Sequence, residues 1–212
     1  MHIDKMLKAA VTYLLMASLA QLTGCLATRS LDLIYPPEQS ATAIPSSPVI
    51  ENTGSVNSND IVLDVFDART EKDRLGDEIG GFFSVRFGAF ESEDNVAAWV
   101  NNALVYELTE VGYNVFQKGT ATTNDTAIGL TVDIQKVFGT AALAYQGEVL
   151  LQATLHRKGE QQVTQQFEGT GSAGLNIAGT SRSLGKSLAL ALQDAISKML
   201  VDFELIQPPE NT

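Results

Sequence analysis

Between residues 128 and 167 the chain alternates apolar and polar positions with a period of two. Ile128, Leu130, Val132 and Ile134 share one parity, with Thr131, Asp133 and Gln135 on the other. Val149, Leu151, Ala153 and Leu155 repeat the pattern. Each set lines one face of a β-strand, so one face is buried and the other is wet. "HRKGE" at 156–160 supplies a hairpin turn into a further strand through Val163, Gln165 and Phe167. Alternation of this kind suits an antiparallel sheet with one solvated face.

Upstream, "DIVLDVFDA" predicts a first strand with Ile61, Leu63 and Val65 inward. "RTEKDRLGDEIGG" reads as a charged loop or short helix, and "FFSVRFGAF" as a second strand. The period then changes. Val96, Trp99, Val100, Ala103, Leu104, Leu108 and Val111 recur at steps of three and four, which predicts a helix capped by Ser92 and ended by Gly112. "YNVFQ" is a short strand. A last helix over about 184–203 points Leu188, Ala191, Leu192, Ala195, Met199 and Phe203 inward, with Lys186, Ser187, Gln193, Asp194, Ser197, Lys198 and Asp202 as its polar stripe. The expected fold is α+β: one domain over 59–206, a mostly antiparallel sheet of about five to six strands, and two helices packed on one face. Residues 207–212 are expected to form a disordered tail.

The N-terminus has a different character. Lys5 and Lys8 precede an apolar run from Ala9 to Ala20, about a dozen residues and short for a bilayer span. Residues 1–24 have the layout of a signal peptide, and Leu22-Thr23-Gly24-Cys25 looks like a bacterial lipobox. That resemblance implies a diacylglyceryl thioether on Cys25, cleavage before it and acylation of the new amine. Such chains anchor a protein without any transmembrane helix. Leu26, rather than Asp, implies sorting to the outer membrane, facing the periplasm. Residues 26–58 hold Pro36, Pro37, Pro45 and Pro48 among many Ser, Thr and Asn. With Cys25 they read as a lipidated cysteine and flexible tether (25–58), about 33 residues spanning roughly 30 Å; only "LDLIYPP" is suited to docking.

Loss of residues 1–24 removes Lys5, Lys8 and Asp4 and moves the net charge from −11 to −12. A chain this acidic repels nucleic acid and anionic headgroups, so membrane attachment falls to the lipid. His156 is the one histidine left after cleavage, and Cys25 is the one cysteine of the chain. No metal, cofactor or disulfide is expected, and the inventory for nucleophilic catalysis is thin.

Several motifs invite stronger readings. "GTSRSLGKS" (179–187) ends like a phosphate-binding loop, but the glycine required five residues before Gly185 is Thr180. It reads as a helix start with Ser181 or Ser183 as cap, and the periplasm is expected to lack ATP, so no nucleotide is expected. "GTGSAG" resembles a nucleophile elbow, but Thr170 stands where glycine is needed, and His156 abuts a turn. The acids from Asp64 to Glu78 lack calcium-loop spacing and are interleaved with Arg69, Lys72 and Arg74. "VFGTAALAYQG" (137–147) carries Phe138, Leu143 and Tyr145 with few charges. Exposed, these three form a contact surface for a partner; if both strands continue, they pack on the domain itself.

The chain as a whole resembles the YajG family of small bacterial lipoproteins. The resemblance is carried by Leu22-Thr23-Gly24-Cys25, "IVLDVFDAR" with Asp67-Ala68-Arg69, "LGDEIG", "ALVYELTEVGYNV" and the long alternating hairpin. It implies a membrane-anchored periplasmic α+β protein with no assigned chemistry. The expected function is that of a non-enzymatic accessory or docking protein for an envelope partner. The alternative is a small hydrolase or ligand binder acting on cell-wall fragments or lipids.

Overall fold

The computed structural model describes residues 27–35, 59–80, 84–118, 128–175 and 180–206. Cys25, the leader 1–24, residues 36–58 and the tail 207–212 lie outside them. Among the described residues the strands are β1 (Ala27–Ser30), β2 (Asp60–Asp67), β3 (Arg74–Gly80), β4 (Val85–Glu91), β5 (Asn114–Gln117), β6 (Ile128–Ala141), β7 (Ala144–His156) and β8 (Val163–Leu175). The helices are α1 (Val96–Glu110), between β4 and β5, and α2 (Ser181–Asp202), after β8.

These strands form one sheet, and α1 and α2 share a single apolar core with it. β6, β7 and β8 run antiparallel as the alternation predicts. The expectation of a mostly antiparallel sheet of five to six strands does not hold. Four of the seven pairings are parallel: β1–β4, β2–β5, β2–β6 and β3–β6. Alternation reports which face is wet and carries no information on strand direction. β2 and β3 lie in succession along the same edge of β6, both parallel to it, and α1 carries the chain across the sheet from β4 to β5, which pairs with β2 rather than with β4. β2 pairs with Ile128–Ile134, and β3 with Gly139–Ala141.

The charged stretch expected to be a loop or helix is thus partly strand. Leu75 is its buried anchor, and a Cβ on Gly76 would stand 2.4 Å from the carbonyl oxygen of Gly139, so β3 needs glycine to approach β6. Its charges are matched: Arg74 and Arg86 both meet Asp77, and Arg29 meets Glu78 at 3.2 Å.

The expected tether also changes. Its first part belongs to the domain. β1 pairs with β4, Leu31 is fully buried, and its amide donates to the Glu91 carbonyl at 2.8 Å. The Leu33 amide donates to Asp94 Oδ2 at 2.9 Å, and the Tyr35 hydroxyl donates to Glu107. Tyr35 also meets the edge of Tyr106 at 6.1 Å. "LDLIY" therefore docks on its own domain, which brings the fold to within two residues of Cys25.

Helix ends are shifted from expectation. Asn95, not Ser92, caps α1, its Oδ1 accepting from the Ala98 amide at 3.1 Å; Ser92 Oγ accepts from the Asp94 amide one turn earlier. Gly112 follows the helix at φ 95°, the left-handed region. Thr180, not Ser181 or Ser183, holds the cap position of α2, without a side-chain cap bond.

Ser187, assigned to the polar stripe of α2, is fully buried, its Oγ donating to the Leu184 carbonyl at 2.8 Å. The cause is a glycine seat. A Cβ on Gly147 or Gly171 would stand 2.5 or 2.2 Å from the Ser187 carbonyl oxygen, and one on Gly169 2.0 Å from that of Ala191. The helix backbone rests directly on β7 and β8.

Candidate functional site

β2 and β3 share one edge of β6 but part company over residues 68–73. A cleft of about 910 Å³ lies beside this fork. Val65, Phe66, Asp67 and Arg69 line one side, and the passage from Glu91 to Ala97, leading into α1, lines the other.

Arg69 is its most buried charged group. The side chain is only 4% exposed, with Nε donating to Asp67 Oδ1 at 2.9 Å and Nη2 to Asp67 Oδ2 at 2.8 Å. Nη2 also donates to the Lys72 carbonyl at 2.9 Å, closing the loop onto itself. Hydrogen bonds from the Arg69 guanidinium, opposed by burial, hold the Asp67 carboxyl below the usual carboxylate range. Asp67 is therefore a fixed anion and a poor proton donor at neutral pH. Nη1 is buried and finds no partner among the described residues, leaving one donor unspent. Asp73, Glu91, Glu93 and Asp94 also line the cleft, facing Lys72 as the one further cation there, so its field is negative. Asp67-Ala68-Arg69, which carried the family resemblance, is a clasp that shapes this loop.

The predicted contact residues do not form one patch. β6 and β7 continue to Ala141 and from Ala144, joined by Ala142 and Leu143 alone. Tyr145 is 2% exposed and its hydroxyl accepts from the Thr180 amide at 2.7 Å, so it serves the start of α2 rather than a partner. Phe138 is half-buried under the Arg74 guanidinium, 5.6 Å from its ring centroid. Leu143 alone projects, 87% exposed at the hairpin tip. Leu175, 71% exposed and paired with Ala144, stands near it.

The tempting motifs resolve into packing. Gly169 and Gly171 of "GTGSAG" are the seat of α2, and Gly185 of "GKS" leaves room for the Asp32 carbonyl, 2.8 Å from where its Cβ would lie. Lys186 is exposed on α2, and His156 is exposed at the end of β7. The acids from Asp64 to Glu78 largely meet cations, Asp64 pairing with Lys118 at 2.8 Å. No group of three or more candidate metal ligands occurs among the described residues. No helix among them is long and apolar enough to cross a membrane.

No protein-family model matches this chain, and no curated protein matches it. Solved structures do. An uncharacterised protein superposes with a TM-score of 0.51 at 11% identity, covering 85% of this chain and 99% of that one. A Xanthomonas campestris protein with the family description DUF330 reaches 0.47 at 13% identity, covering 70% and 84%. A lipoprotein from Neisseria meningitidis reaches 0.33 at 12% identity, covering 68% and 98%. The first is a likeness of fold alone. The other two are too loose to carry an argument.

Proposed function

We propose that the chain is a lipoprotein of the YajG type, anchored through Cys25 in the outer membrane and facing the periplasm, where it serves as a non-enzymatic docking or accessory protein for another envelope protein. The observation that carries this reading is the meeting of two boundaries. The lipobox ends at Cys25, and the first strand of the sheet begins at Ala27. Cleavage before Cys25 leaves β1, Leu31 and Tyr35 intact, and places the lipid at the lip of a folded domain.

Fractionation of cell envelopes tests the anchoring. The wild-type chain is expected in the outer membrane, and C25A in the soluble periplasm or retained with its leader. Equal distribution of the two would reject it. Docking is tested by crosslinking from positions spread over the exposed surface in intact cells; one protein adduct recurring from neighbouring positions supports it, and no protein adduct anywhere on the surface opposes it.

The cleft favours a second reading, a binder or hydrolase of cell-wall fragments or lipids. Asp67, Arg69, Lys72 and Asp73 converge on the cleft lining, the kind of polar set a ligand site needs. Thermal stabilisation by soluble cell-wall fragments, abolished in R69K, would favour it over docking.

A further inference from the structure

The strand registers place the start of β1 and the tip of the β6–β7 hairpin at one end of the sheet. Ala27 pairs with Gly88, Gly88 with Glu78, Glu78 with Ala141, and Ala141 with Tyr145, whose neighbour Ala144 pairs with Leu175. One row therefore crosses β1, β4, β3, β6, β7 and β8, about 24 Å at roughly 4.8 Å per strand. The exposed residues Val85, Phe87, Leu143 and Leu175 all lie at or beyond this row, at 50%, 56%, 87% and 71% exposure. Cys25 precedes Ala27 by two residues, a reach of about 7 Å.

The opposite end differs. Its β7–β8 turn carries Arg157, Lys158 and Glu160, so the exposed Val163, Val201 and Ile206 there stand among charges. At the Cys25 end the connecting residues Ala142, Leu143 and Ser84 are uncharged. Near it Arg29 pairs with Glu78 at 3.2 Å and Arg86 with Asp77 at 2.9 Å, and the exposed Arg182 at the start of α2 adds a cation, a charge that can stay at the phosphate level.

We propose that this end of the sheet is a membrane-contact surface: with Cys25 lipidated, Val85, Phe87, Leu143 and Leu175 rest in the headgroup layer and fix the domain upright on the bilayer. The occupant is a lipid surface because the anchor leaves the domain at this end, beside Phe87 and on the same row as the other apolar tips. The lipid supplies affinity and a high local concentration, and the tips supply orientation. An acidic domain gains nothing from anionic headgroups, so apolar contact is the available means of orientation. The inference rests on the lipoprotein reading for its anchor.

Its test imposes that anchor chemically. The chain from residue 25 is coupled through its single thiol to a maleimide lipid in phosphatidylcholine vesicles, with or without brominated acyl chains. Tryptophan is introduced in F87W and L143W at the near end, and in V163W and V201W at the far end; the buried Trp99 is a common background. The account expects at least two-fold quenching of the added emission in F87W and L143W, and none in V163W and V201W. Equal quenching of all four, or none at the near end, overturns it. A surface reserved for a protein partner gives the latter result. Because coupling is chemical, a missing acyl group in cells, read separately by mass spectrometry, rejects the lipoprotein reading without altering this outcome.

Discussion

The half of the molecule built from β6, β7, β8 and α2 and the half built from β1, β3, β4 and the 68–73 loop reach the same burial by different means. In the first, strands of 13 or 14 residues follow one another in antiparallel order, and a helix backbone rests on Gly147, Gly169 and Gly171. The contact is close and mostly apolar, edged by Asp194, which accepts from the Thr170 amide at 2.9 Å, and Lys198, which donates to the Glu168 carbonyl at 2.8 Å. In the second, strands of four to seven residues pair partly in parallel, and Asp67–Arg69, Arg74–Asp77, Arg86–Asp77 and Arg29–Glu78 bridge their polar edges. The first half depends mainly on shape, whereas the second leans on ion pairs between its short strands and the 68–73 loop.

The largest expected effect tests that dependence. D67A leaves the buried Arg69 guanidinium without its carboxylate and is expected to cost about 3–5 kcal/mol in urea unfolding. A loss below about 1 kcal/mol would make the clasp ornamental. L31A comes next, at about 2–4 kcal/mol, because it empties a fully buried site that holds β1 on the domain. Its companion measurement is hydrogen exchange at the Leu31 amide: slow exchange is expected in the wild type and fast exchange in the variant.

G171A probes the other half. A methyl group there meets the Ser187 carbonyl oxygen at 2.2 Å, so α2 must lift, at a cost of about 1–3 kcal/mol. Lifting is expected to show as altered near-ultraviolet circular dichroism at unchanged helix content. Acid supplies a gentler separation. The folded-state pKa of Asp67 is lowered, so its stabilisation is present above its unfolded pKa of about 3.9 and lost as pH falls through the lower folded value. Unfolding followed between pH 5 and 2 is expected to show this loss in the wild type, and less of it in D67A. K118A removes a largely exposed partner of Asp64 and is expected to change stability by less than about 1 kcal/mol.

The same division explains what could be read from residues alone. Ile128 to Ile134 and Val149 to Leu155 announced their strands because one face is buried along its whole length. The inward row of α2 was legible for the same reason. β3 was not, since Leu75 is its only buried large apolar side chain and its acids mimic a loop until Arg29, Arg74 and Arg86 are brought beside them. Strand direction was not legible either, because pairing partners are set by the α1 crossover rather than by side-chain parity. β1 was hidden in a stretch of Pro, Ser and Thr; Leu31, Leu33 and Tyr35 are too few to show a period. Of the predicted contact residues, Tyr145 is buried, its apolar ring and hydroxyl suiting a place beside the Thr180 amide as well as exposure. Leu143 lies at a hairpin tip, where nothing remains to cover it.

The central proposal is that Cys25 is the lipid-bearing N-terminus of this domain. Mass spectrometry of the N-terminal peptide, from the full-length chain purified out of bacterial envelopes, tests it most directly. The account predicts a peptide beginning at Cys25 with a diacylglyceryl group on sulfur and an acyl group on nitrogen. A chain that retains residues 1–24, with an unmodified thiol at position 25, would contradict it.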